Sequence, residues 1–199
     1  MTALKCWPLA LVLAVAGCAR SSPAAPSAAV VVSLPLALAG QSNADFIRPA
    51  LQAAYAPASV IGYAQGGSTI AQWQIGAPAG FWSLLTPSLH QPLRAFVWWQ
   101  GESDTTDVNY LTDLTEFVTR VRKETGNPTL LVLICRVVDD PAFQGIRQIQ
   151  QKYVDSDKFA VLVSSDGLPL EDPTPGAGSA HLSAAGYVAM SARILGALP

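Results

Sequence analysis

From Val30 onward, apolar runs of strand length alternate with segments of helical period, and this alternation restricts the chain to an α/β fold with a mainly parallel sheet. The runs cover residues 34–39, 59–64, 94–99, 129–137 and 159–164. Their near-continuous apolar character predicts strands covered on both faces. Pro35 cannot donate to a ladder, so it marks the first residue of the first strand or a bulge. Between the runs, Tyr110, Leu111, Leu114, Phe117, Val118 and Val121 recur at three- and four-residue spacing ahead of Gly126, which predicts a helix over residues 107–125. Helices over residues 141–154 and 183–198 follow from the same pattern, the former with Pro141 in its first turn. After Asn43, Pro49 predicts an interruption, with a short helix opening only at residues 50–55.

A chain of 199 residues, 50% hydrophobic and 13% charged, has enough apolar surface for one sizeable core. Its formal net charge is −2 and its few Lys and Arg residues form no long run, so the sequence shows no basic stripe for a phosphate backbone and no nucleic-acid partner is expected.

The first 17 residues belong outside the fold: Lys5 supplies a short positive region, an apolar stretch follows, and Val15, Ala16 and Gly17 are small residues before Cys18. This segment resembles a bacterial lipoprotein signal peptide with its lipobox, VAGC. The resemblance implies cleavage before Cys18, acylation of that cysteine and a membrane partner reached through the lipid at the cell envelope, and the lack of an acidic retention signal at Ala19 and Arg20 favours the outer membrane. An ordinary secretory signal, giving a secreted or periplasmic protein, is the alternative. The apolar stretch is too short for the usual span of about 20 residues. The expected organisation is therefore a signal peptide at 1–17, a lipidated Cys and Pro/Ser/Ala-rich tether at 18–29, and a domain at 30–199. With Cys6 removed and Cys18 acylated, Cys135 alone remains, within an apolar run where a packed, inert thiol is expected.

Ligands of open α/β sheets bind beyond the carboxyl ends of the strands. Four polar or glycine-rich clusters fall at such positions: GQSNA around Ser42, GGSTIAQW at Gly66–Trp73, WWQGESD at Trp98–Asp104, and the stretch from Asp166 to His181. A serine becomes a nucleophile when a base takes its proton and donors stabilise the ensuing oxyanion. Ser42 lies in a turn directly after a strand, and the sequence offers two histidines as base. His90 sits between Pro87 and Pro92 as a surface or packing residue, whereas His181 opens the last helix. Neither HExxH-like spacing nor a phosphate-loop signature is present, so no metal site and no cofactor are indicated.

GQSN, GGSTIAQW, WWQGESD and HLSAAGY, in that order, resemble the blocks of the SGNH-hydrolase superfamily, most closely its carbohydrate-esterase branch of sialate O-acetylesterases and acetylxylan esterases. The resemblance runs from about Leu36 to Gly186. It implies a flavodoxin-like three-layer α/β/α sandwich of about five parallel strands, with Ser42 as nucleophile, His181 as base, and an oxyanion hole made of the amides of Ser42 and Gly67 and the side-chain amide of Gln100. The chain departs from the family where most members carry an aspartate three residues before the histidine, a position occupied here by Gly178. Glu102, in the QGE that this branch uses as a triad acid, is the favoured substitute, with Asp172 the alternative and Asp166 a third. Asn43 and Asp104 are expected to brace the turns, Arg147 and Gln150 to act structurally, and Trp73 to line the pocket or stack on a sugar.

The expectation is a serine esterase that removes O-acetyl groups from carbohydrates through an acyl-enzyme. Its rivals are a general short-chain carboxylester hydrolase or lipase, and a glycan-binding lipoprotein rendered inactive by the loss of the acid at position 178.

Overall fold

Each apolar run forms a strand: β1 (Leu36–Gly40), β2 (Val60–Ile61), β3 (Ala95–Trp99), β4 (Val132–Cys135) and β5 (Ala160–Val163). In the computed structural model, which describes residues 33–174 and 180–199, they make one parallel sheet in the order β2-β1-β3-β4-β5. The expected signal segment 1–17, Cys18, the tether 18–29 and Gly178 lie outside the described residues. Every residue of β1, β3 and β4 is buried, as near-continuous apolar sequence requires, whereas β5 at the sheet edge leaves Val161 exposed.

Five α-helices connect and flank the strands: α1 (Ser42–Tyr55), α2 (Phe81–Leu89), α3 (Tyr110–Glu124), α4 (Gln144–Ser156) and α5 (Ala184–Gly196). After β2 the chain recrosses β1 to start β3, and right-handed crossovers then place α2, α3 and α4 on the face opposite α1, which α5 joins. Adjacent β3 residues report the two faces, since strand side chains alternate. Trp98 packs on Phe117 of α3 with ring centroids 4.4 Å apart, and Trp99 meets Tyr187 of α5 at 6.1 Å. The result is the flavodoxin-like three-layer α/β/α sandwich that the sequence leads one to expect.

Two helices differ from expectation. α1 runs unbroken from Ser42 through Pro49, although a proline cannot donate to the carbonyl four residues earlier. Asn43, Ile47 and Leu51 form a fully buried stripe along it, and that packing outweighs one missing hydrogen bond. α2, which is not among the predicted helices, contains Pro87, yet Trp82, Leu85 and Leu89 bury at helical spacing.

The end of β1 fixes where the nucleophile stands. Gly40 has φ of +140°, and a Cβ there would lie 1.9 Å from the carbonyl oxygen of Trp99. Only glycine permits this approach, which lets the Gln41 amide donate to Trp99 at 2.9 Å and starts α1 immediately beyond the sheet edge.

Candidate active site

Ser42 is the first residue of α1, where unpaired amides and the helix dipole favour negative charge. Its Oγ lies 2.9 Å from Nε2 of His181, across 139 residues of sequence. His181 is held by backbone pairing rather than by α5 itself. Leu170 and Leu182 form an antiparallel bridge, and the Glu171 amide donates to the His181 carbonyl at 3.1 Å. Ser183 then caps α5, its hydroxyl accepting from the Gly186 amide at 3.2 Å.

Asn43 ties these segments together, and its amide is fully occupied. Its Nδ2 donates to Glu102 Oε1 at 2.7 Å and to the carbonyl of Ala180 at 2.6 Å, while its Oδ1 accepts from the Tyr187 hydroxyl at 2.7 Å. One buried side chain thus fixes the nucleophile turn to the QGE turn and to the residue preceding the histidine, the bracing role expected of it.

The acid expected behind the histidine is placed differently. Glu102 keeps its carboxyl under Asn43 with Oε2 sealed from solvent, and burial raises its pKa from 4.5 to about 7. Asp172 instead closes a local turn, Oδ1 accepting from the Thr174 amide at 2.9 Å. Asp166 pairs with Arg147 and Arg136. Among the described residues, the carboxylate within 4 Å of the imidazole is that of Glu171, whose Oε2 lies 3.6 Å from Nδ1, with the carboxylate side chain 72% exposed. Glu171 escapes sequence reading because its proximity comes from the Leu170–Leu182 bridge, a pairing with no motif of its own.

Gln100 is likewise corrected. It is fully buried, and both N–H groups of its side chain are engaged, one by the Ser68 carbonyl at 3.0 Å and the other by Asp104. It cannot also donate to an oxyanion. Instead it locks the GGST loop to the QGE turn, helped by Asp104, which accepts from the Ile70 amide at 3.1 and 3.2 Å. Burial raises the Asp104 pKa to about 6. As for the two expected backbone donors, among the described residues no acceptor takes the amide of Ser42 or of Gly67. Gly67 has φ of +69° and a Cβ on it would meet no protein atom within 4 Å, so the turn rather than crowding selects glycine.

Trp73 does not line the site. It is fully buried on the α3 face, edge-on to Trp98 at 5.3 Å, and its Nε1 donates to Ser68 Oγ at 2.9 Å. The exposed aromatic near the histidine is Phe46, half exposed and edge-on to His181 at 5.1 Å. It stands one helical turn after Ser42, a relation that is visible only if α1 begins at Ser42.

Arg147 and Gln150 are structural: Arg147 donates to the Val137 carbonyl at 2.6 Å, and Gln150 reaches the carbonyls of Gln100 and Cys135 at 3.2 and 3.3 Å. His90 pairs with Glu124 at 2.6 Å, and Cys135 is buried with its thiol pKa pushed well up by desolvation. Among the described residues, no group of three His, Cys, Asp or Glu side chains is arranged to hold a metal ion.

The model of a family described as carbohydrate esterase, sialic acid-specific acetylesterase, matches residues 41–198. No match is found among curated proteins. Among solved structures, a protein from Arabidopsis thaliana is similar at a TM-score of 0.61 and 19% identity, over 77% of this chain and 67% of its own. A GDSL-like lipase from Bacteroides thetaiotaomicron is similar at 0.57 and 14%, over 82% and 87%. A carbohydrate acetylesterase from Sinorhizobium meliloti is similar at 0.56 and 14%, over 81% and 96%. These structures share the fold.

Proposed function

The chain belongs to the carbohydrate esterase family of sialic acid-specific acetylesterases and is a carboxylic ester hydrolase, and on that premise we propose that it removes O-acetyl groups from carbohydrate hydroxyls through an acetyl-enzyme on Ser42. The observation that carries this reading is the 2.9 Å contact between Ser42 Oγ and His181 Nε2, at a helix N-terminus and a strand end. Nε2 takes the hydroxyl proton as Oγ attacks the acetyl carbonyl carbon. The oxyanion accepts from the amides of Ser42 and Gly67, where each donor is worth about 10²–10³ in rate. The carbon–oxygen bond to the sugar then breaks, the imidazolium gives its proton to the sugar oxygen, and water repeats the sequence on the acetyl-enzyme.

Glu171 is the carboxylate proposed to support the imidazolium, from outside hydrogen-bond range and largely in solvent. Its contribution is accordingly small, since exposed ion pairs are worth about 0–1 kcal/mol. Gln100 and Glu102 act through the loops they hold. The test is release of acetate from O-acetylated sugars by the wild-type protein and by Ser42→Ala, alongside a series of longer acyl esters. Acetyl-sugar turnover that vanishes in the variant agrees with the proposal; preference for long acyl chains contradicts it.

Anchoring at the cell envelope, by preference the outer membrane, through an acylated Cys18 is proposed on the VAGC sequence. Mass spectrometry of the N-terminal peptide from bacterial membranes tests it, and an unmodified Cys18 would refute it.

A further inference from the structure

Phe46 contributes nothing to the core, yet it stands half exposed beside the histidine. Its ring meets His181 edge-on at 80° and Tyr187 at 6.1 Å, so packing holds it in place while one side remains open. It borders a cavity of about 670 Å³ whose wall also includes Glu171, His181, Leu182 and Tyr187. That volume lies within the range of small-molecule sites, about 300–1,000 Å³.

We infer that this groove is the subsite for the leaving alcohol, with Phe46 as an aromatic platform for the apolar face of a pyranose ring and Glu171 as an acceptor for its hydroxyls. The inference rests on the acetylesterase reading and deepens it. The chemistry fixes which part of the substrate lies here. The imidazole must hand its proton to the departing sugar oxygen, so that oxygen sits within hydrogen-bond reach of Nε2 and its ring extends along whatever borders the histidine. The oxyanion, by contrast, faces the amides of Ser42 and Gly67. A pyranose presents C–H groups on one face and hydroxyls at its rim. An aromatic surface beside a carboxylate of 72% exposure suits that pattern and does not suit a long acyl chain. Phe46 is therefore a specificity-determining residue, reached from Ser42 by a single helical turn.

The test compares the full-length protein with Phe46→Ala and Phe46→Trp on two acetyl esters, 6-O-acetyl methyl glucoside and ethyl acetate. The readout is the ratio of kcat/KM for the sugar ester to that for ethyl acetate. Removing the platform should lower this ratio about tenfold, the expected loss from exposing one ring-sized apolar contact, and tryptophan should preserve it. If Phe46 merely steadied the imidazole, Phe46→Ala would depress both substrates together and leave the ratio intact, which would overturn the inference while the esterase reading stands. Hydrolysis of neither ester by the wild-type protein would overturn both.

Discussion

The carboxyl of Glu102 should make the stability of this protein fall as pH rises toward neutrality, and Glu102→Gln should remove its share of that fall. Its Oε2 has no hydrogen-bond partner among the described residues and is closed to solvent, and burial raises its pKa from 4.5 to about 7. Between those values the folded state holds a proton that the unfolded state has released, so unfolding is favoured progressively as pH increases. The stabilisation is complete below pH 4.5 and gone above about pH 7. The rise from 4.5 to about 7 corresponds to about 3 kcal/mol. Glutamine keeps the acceptor for Asn43 but cannot ionise. Any fixed cost of its unpaired N–H groups is the same at every pH, so it cancels when slopes are compared. Asp104, raised to about 6, titrates in both proteins and adds its own fall to each, its charge being also one of the causes that raise Glu102. Urea denaturation of the two proteins at constant ionic strength, across pH 4.5 to 7, should show the variant gaining about 3 kcal/mol relative to wild type over that interval. Parallel stability curves would refute the reasoning, because they would mean that the carboxylate is solvated when ionised.

Three further outcomes follow from particular contacts. Gly40→Ala places a Cβ 1.9 Å from the Trp99 carbonyl oxygen, so it should yield little folded protein by circular dichroism or lose well over about 3 kcal/mol in denaturation. Trp73→Ala removes a fully buried indole and the donor to Ser68 Oγ; it should cost about 3–5 kcal/mol by chemical denaturation, whereas an aromatic that only lined a pocket would leave stability almost unchanged. Glu171→Gln should lower kcat/KM by about tenfold or less, since its carboxylate is exposed and 3.6 Å from Nδ1; a loss near the 10⁴-fold typical of a buried triad acid would contradict the assignment.

The sheet was legible because parallel strands buried on both faces leave continuous apolar runs, and α3 because its buried residues recur at helical spacing. Pro49 misleads in α1 because local propensity is weighed without the buried Asn43–Ile47–Leu51 stripe that the tertiary structure supplies. The pairing of Ser42 with His181 follows from two loops at one sheet edge, and topology alone brings those together. The supporting residues resisted reading for a different reason. A glutamine that donates to an oxyanion and one that donates to Ser68 and Asp104 look identical in sequence, and only the distances distinguish them. Trp73 likewise has no sequence mark separating a sugar platform from a core indole, and Glu171 approaches the imidazole through a backbone bridge.

The central claim, that Ser42 and His181 together cleave an acetyl ester, is tested most directly by hydrolysis of a short-chain aryl acetate by wild type, Ser42→Ala and His181→Ala. Activity in wild type, with a loss of at least about 10⁴-fold in each variant and no comparable change in stability, is the predicted result. Turnover retained in either variant, or an inactive wild type, would contradict it.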